Sequence, residues 1–133
     1  MKIHHIGYLV KNMDLARQQF YMLGYKKAGE VLSDGFRKAD IQFLEKDGYR
    51  IELVCPAAPD SVVNGLLKRY RNAPYHICYE TDDLEETAEY LQKDGFTRMD
   101  TPCPAPAIDG RRVCFFWGTG IGITEILEGQ KKS

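Results

Sequence analysis

The sequence predicts an α+β chain built from two β-α-β-β-β modules. Three observations carry that prediction. Strand-length and helix-length apolar patterns follow one another in the same order in both halves. Short segments of the two halves resemble each other. Each half also places one histidine on its first strand and one glutamate on its last.

The elements follow in order. "KIHHIGYLV" (2–10) reads as a strand. A helix comes next, with Asn12 or Asp14 as cap, a stripe of Ala16, Phe20 and Leu23, and Gly24 as its stop. "YKKAGEVL", "FRKADIQFL" and "YRIELV" are strand-like runs separated by "SDG" and "KDG", which are turn sequences. "CPAAPDSVVNGLLKRYRNAP" opens as a loop and continues as a short helix with Val63, Leu67 and Tyr70 on one face. The second half repeats the plan. "YHICYET" is a strand, and "DDLEETAEYLQKDG" a helix with Asp82 or Asp83 as cap, Leu84, Ala88 and Leu91 as stripe, and Gly95 as stop. "FTRMD", "RRVCFFW" and "GITEILE" follow as strands, and the proline-rich "TPCPAPAIDG" reads as an excursion over a site rather than core. The organisation expected is one domain over 1–133, with module one at 1–57, a linker at 58–73 and module two at 74–128.

Bulk properties narrow the function classes. The chain has 133 residues, 18 basic against 19 acidic, and a net charge of −1. Those charges are spread evenly, so neither a nucleic-acid footprint nor a membrane-surface patch is expected. No apolar run approaches the roughly 18 residues of a membrane span, and the N-terminus has no signal-peptide pattern. Cys55, Cys78, Cys103 and Cys114 show no CxxC spacing, and Cys78 and Cys114 sit inside apolar strands as small hydrophobes. The address expected is a reducing cytoplasm.

The repeat identifies the residues with chemistry. "HIGY" (5–8) aligns with "HICY" (76–79), and "RIELV" aligns with "ITEIL", which puts Glu52 on Glu125. His5 therefore has an equivalent in His76, whereas His4 aligns with Tyr75. Strand parity turns Glu52 away from Ile51 and Leu53, and Glu125 away from Thr124 and Ile126. A carboxylate on a buried strand face is costly unless paired, and a divalent cation removes that cost. Two neutral imidazoles and two carboxylates cancel the charge of M²⁺. Such N/O ligation suits nickel, zinc, cobalt or iron better than magnesium or calcium.

"HHIGYLVKNMDLARQQFYMLGY", "YRIELVCP", "PYHICYETDDLEE", "APAIDGRRVCFF" and "ITEILE" together resemble the vicinal oxygen chelate superfamily, which includes glyoxalase I and methylmalonyl-CoA epimerase. The resemblance covers nearly the whole chain. It implies two βαβββ modules forming a cupped, mostly antiparallel sheet around a metal site, with His5, Glu52, His76 and Glu125 as ligands. It further implies that Glu125 carries the substrate α-proton, with Glu52 as its partner on the opposite face. The cofactor expected is nickel or zinc, with cobalt as a third choice.

The leading functional expectation is a glyoxalase I-type lyase, because bacterial-type glyoxalases carry Glu where epimerases typically carry Gln. Such an enzyme converts a 2-oxoaldehyde–thiol hemithioacetal to an S-2-hydroxyacyl thioester by way of an enediolate held at the metal. The first alternative is a methylmalonyl-CoA epimerase-like acyl-CoA epimerase, which "APAIDGRRV" favours. The second is a metal-free protein that sequesters small molecules such as antibiotics, which would lack the ligands. The partners expected are a thiol adduct or acyl-CoA and a second copy of the chain, with Tyr8, Phe20, Tyr79, Phe115, Phe116 and Trp117 available for contact or core. Arg37, Lys38, Arg111 and Arg112 read as solvated surface charges, with an anionic substrate tail as the other use.

Overall fold

In a computed structural model, the structure describes residues 1–130. The chain separates into two compact units. One spans His5–Tyr75, and the other runs from His76 onward and includes Met1–His4.

In the first unit the elements are β1 (Lys2–Leu9), α1 (Met13–Met22), β2 (Lys26–Lys27), β3 (Leu32–Asp34), β4 (Ala39–Lys46), β5 (Tyr49–Pro56) and α2 (Val62–Tyr70). The strand order is β2-β4-β5-β1, with β3 beside β4; only β1 and β5 run parallel. The second unit has β6 (Ala73–Thr81), α3 (Leu84–Lys93), β7 (Thr97–Arg98), β8 (Cys103–Pro104), a 3-10 turn (Pro106–Ile108), β9 (Arg112–Gly118) and β10 (Gly122–Glu128). Its order is β6-β10-β9-β7 with β8 beside β9, and only β6 and β10 run parallel. The fold is thus mixed α+β and mostly antiparallel, and the same topology occurs twice.

Local chemistry explains the boundaries. Asn12 caps α1 by accepting from the Leu15 amide at 3.0 Å, and Asp83 caps α3 by accepting from the Glu86 amide at 2.9 Å. Asp14 and Asp82 do not act as the caps. Gly24 and Gly95 follow the helices at φ +97° and +105°, a conformation that a side chain would strain. Between β4 and β5, Asp47 and Gly48 take φ values of +52° and +81°, as a two-residue hairpin requires.

Three local expectations need correction. "YKKAGEVL" is two short strands rather than one: Lys26–Lys27 pairs with Leu44–Glu45, whereas Leu32–Asp34 pairs with Ala39–Ile41. The chain reverses after β3 because Asp34 accepts from the Phe36 and Arg37 amides. Leu23 is not on the buried stripe of α1, since the helix ends at Met22 and Leu23 is exposed. The proline-rich loop contributes to the core, because Ala105 and Ile108 are buried.

Each helix packs on one face of its own sheet. Beneath α3, Leu84, Ala88 and Leu91 meet Cys114, Phe116 and Ile126. Beneath α1, Met13, Ala16 and Phe20 pack against Val10, Leu44, Ile51 and Leu53. The two helices are seated differently, because Arg17 is the fifth residue of α1, where α3 has Ala88. Arg17 Nε donates to Oε1 of buried Gln42 at 2.5 Å, and the Gln42 amide donates to the Gly29 carbonyl at 3.0 Å. The other face of the first sheet carries a second cluster, in which Val63 of α2 covers Leu9, Ala39 and Val54.

Candidate functional site

His5 lies on the strand face opposite Ile6 and Tyr8, which pack toward α1. β5 runs parallel to β1 with Glu52 opposite Gly7, two residues past His5. The same register recurs in the second unit. β10 runs parallel to β6 with Glu125 opposite Cys78, two residues past His76.

That register brings an imidazole and a carboxylate together in each unit. His5 Nε2 is 3.5 Å from Glu52 Oε1, and His76 Nε2 is 3.0 Å from Glu125 Oε1. All four side chains are buried, at 1%, 5%, 4% and 3% exposure in the order His5, Glu52, His76, Glu125. Two donors bound side by side to one cation at about 2.1 Å each stand roughly 3.0–3.4 Å apart. One imidazole nitrogen and one carboxylate oxygen per unit suit a borderline divalent cation in chemistry; the His76–Glu125 spacing falls in that range and the His5–Glu52 spacing just beyond it.

An aromatic ring stands against each imidazole. Phe43 lies opposite Glu52 on the antiparallel β4, and its ring meets His5 edge-on at 5.2 Å and 75°. Phe115 lies opposite Glu125 on β9, and meets His76 at 5.3 Å and 89°. Sequence reasoning did not single out Phe43, and it treated Phe115 as a contact or core aromatic. The available signal was the common place of both rings on the strand preceding the glutamate strand. The other aromatics named from sequence are largely committed to cores: Tyr8 meets Phe20 of α1 edge-to-face at 5.1 Å, and Tyr79 and Phe116 pack beneath α3.

The four basic residues considered for an anionic tail are all ion-paired rather than simply solvated. Arg37 bonds the buried Asp34 at 2.7 Å, and Lys38 pairs with Asp60. Arg112 pairs with Glu128 at 2.8 Å and Glu85 at 2.6 Å, which raises its already high pKa further. Arg111 stands 3.4 Å from Glu80.

A duplicated βαβββ fold with one buried His–Glu donor pair per copy defines a recognisable class of domain. The chain belongs to the glyoxalase/bleomycin resistance protein/dioxygenase superfamily, whose sequence profile matches residues 4–115. It is 23% identical over 115 residues to an ethylmalonyl-CoA/methylmalonyl-CoA epimerase of Cereibacter sphaeroides, covering 86% of each chain. Among solved structures it is similar to a hypothetical protein from Bacillus halodurans C-125, with a TM-score of 0.85, 22% identity and coverage of 99% of this chain and 96% of the other. It is also similar to the methylmalonyl-CoA epimerase of Mycobacterium tuberculosis, with a TM-score of 0.84, 19% identity and coverage of 98% and 89%. A further similar structure is a methylmalonyl-CoA epimerase in complex with methylmalonyl-CoA and NH4+, with a TM-score of 0.79, 22% identity and coverage of 96% and 94%. The relatives with a named activity are epimerases, so the comparisons favour the epimerase alternative over the glyoxalase expectation. Among the described residues, no helix is long and apolar enough to cross a membrane.

Proposed function

We propose that this chain is a divalent-metal-dependent acyl-CoA epimerase that inverts the α-carbon of a malonyl-type thioester. The observation that carries this reading is the recurrence of a buried His–Glu pair in identical strand register in both units. The epimerase relatives supply the reaction class.

His5 with Glu52, and His76 with Glu125, would each offer one imidazole nitrogen and one carboxylate oxygen to a divalent cation. Nickel and zinc suit this N/O set, with cobalt close behind. A cation bound there would supply Lewis-acid stabilisation of the charge that develops when the α-proton leaves. Glu125 takes the α-proton from one face, and the electron pair of the C–H bond delocalises into the thioester carbonyl. A proton already held on Glu52 passes to the opposite face and inverts the centre, so that the turnover ends with Glu125 protonated and Glu52 ionised, the state that runs the reverse inversion. The buried apolar walls around these carboxylates keep water from competing for that proton. The active species is a homodimer in a reducing cytoplasm, consistent with four free thiols.

Glyoxalase I-type isomerisation of a hemithioacetal is the second reading, favoured by Glu rather than Gln at position 52. Metal-loaded protein in deuterated water separates the two. α-Proton exchange into methylmalonyl-CoA, without conversion of the methylglyoxal–glutathione adduct, supports the epimerase. The reverse pattern overturns it. Elemental analysis of the purified protein identifies the metal.

A further inference from the structure

We infer that the Glu80–Arg111 pair recognises the amide-bearing thiol arm of the substrate, an inference that rests on the acyl-thioester reading above. Glu80 lies four residues beyond His76 on β6, so strand parity places both on one face. Arg111 immediately precedes β9, four residues before Phe115, the ring against His76, and its guanidinium reaches Glu80 at 3.4 Å. The pair therefore stands on the same sheet face as His76 and Glu125.

The duplicated unit provides an internal control. Leu9 lies four residues beyond His5, and Ala39 four before Phe43. There, both positions are apolar and sealed beneath Val63 of α2. The second unit replaces that patch with a carboxylate and a guanidinium. A role limited to filling the sheet face would be met by apolar residues, as it is in the first unit.

Arg111 is not fully used by the protein. Its Nε donates to the Glu128 carbonyl at 3.0 Å. Its Nη2 is buried, has no hydrogen-bond partner among the described residues, and reaches Glu80 Oε1 only as a 3.4 Å ion pair. Neighbouring Arg112 differs, with its guanidinium donating to Glu85 at 2.6 Å and to Glu128 at 2.8 Å. Buried N–H groups almost always find an acceptor. Nη2 of Arg111 is thus a donor left over, beside a carboxylate that can accept.

Charge decides which group the pair takes. Arg111 and Arg112 line a cleft of about 760 Å³ together with Asp109 and Glu128. Glu80 lines a neighbouring cleft with Asp82, Asp83 and Glu86 and one basic side chain, Lys2. Acidic groups outnumber basic ones here, so a phosphate would be repelled. A neutral secondary amide, which needs one donor and one acceptor, suits a guanidinium–carboxylate pair. Reach agrees. Four residues of strand carry Glu80 about 13 Å from His76. A thioester oxygen bound at the metal is about nine bonds from the second amide of a pantetheine arm, or roughly 10–11 Å extended at about 3.5 Å per three bonds, plus the coordination bond. Pantetheine and a peptide thiol such as glutathione both carry such amides.

The test compares methylmalonyl thioesters of pantetheine and of N-acetylcysteamine, which lacks the second amide. Wild type should show a KM at least tenfold lower for the pantetheine thioester. Arg111→Met and Glu80→Gln should bring that ratio to within about threefold by raising KM for the pantetheine thioester. Variants that keep the full ratio overturn the inference. If Arg111→Met does not fold, Glu80→Gln and Arg111→Lys decide alone by the same ratio. Binding of unreactive propionyl-pantetheine and S-methylglutathione, followed by calorimetry, identifies which arm is preferred. Should wild type catalyse no exchange yet bind one of these arms through Arg111, the epimerase reading fails while the amide site stands. Binding of neither arm removes the amide site.

Discussion

Glu125 Oε1 sits 3.0 Å from His76 Nε2 across two parallel strands, although the residue directly opposite Glu125 is Cys78. The contact is diagonal, and a diagonal contact between His5 and Glu52 repeats it at 3.5 Å. In each case the histidine and glutamate share a face because the parallel register offsets them by two residues, the period of a strand.

If Glu125 moves the substrate proton, Glu125→Gln should lower α-proton exchange by about 10²–10⁴-fold. The amide keeps the shape and a donor oxygen, so circular dichroism and the melting temperature of the metal-loaded variant should stay close to wild type. Deuterium incorporation followed by NMR is the direct measurement. A variant that exchanges at the wild-type rate removes Glu125 from the proton path.

If His5, Glu52, His76 and Glu125 bind metal as proposed, metal should stabilise the folded chain, because these buried donors separate on unfolding. With free metal at 100 times Kd, linkage gives about 2.7 kcal/mol, a rise in Tm of roughly 10 °C for a domain of this size. Chelation should reverse the rise and abolish exchange together. His76→Ala should flatten the dependence of Tm on metal concentration.

Burial pushes the Cys114 thiol from 9.0 up to about 12, with the adjacent Asp100 adding to the shift. A group that titrates higher in the folded chain than in the unfolded chain contributes its stability at lower pH and loses it as pH rises. Stability should therefore fall between about pH 9 and pH 12, and Cys114→Ala should shrink the Cys114 share of that fall. Denaturant midpoints across the alkaline range report it. Native protein at pH 8 should also resist alkylation at Cys114 until it is unfolded.

Arg17 and Gln42 form one polar unit beneath α1, where the second unit uses Ala88 and Cys114. Gln42→Cys alone removes the acceptor of Arg17 Nε, leaving Arg17 its Asp14 pair at 2.9 Å, and the donor to the Gly29 carbonyl, and should cost about 1–3 kcal/mol. Arg17→Ala with Gln42→Cys transfers the apolar solution and should recover most of that loss. A coupling energy of about 0.5–3 kcal/mol in a urea double-mutant cycle is the expected result. Simple additivity of the two changes would show that the pair does not act as a unit.

Much of this was legible in the chain. Helix stripes and stops are local, so α3 follows its reading closely: Asp83 caps it, Leu84, Ala88 and Leu91 face inward, and Gly95 ends it. The four candidate ligands could be read because duplication set each His and Glu beside a partner of known spacing. Short strands were less legible. Two-residue elements such as β2, β7 and β8 have no periodicity of their own and exist only where β4 or β9 offers a ladder edge. The pairing of Arg37 with Asp34 and of Arg111 with Glu80 was likewise invisible, since both depend on where loops return.

By itself, the sequence determined the α+β class, the doubled βαβββ order and which histidines and glutamates occupy equivalent strand positions in the two halves. Those follow from periodicity, capping and parity, which act over a few residues at a time. Only the tertiary structure decided that each imidazole meets its carboxylate diagonally, within 3.5 Å, with a phenylalanine edge against it. Those contacts join residues some fifty positions apart, and inter-strand register, a property of no single strand, sets them.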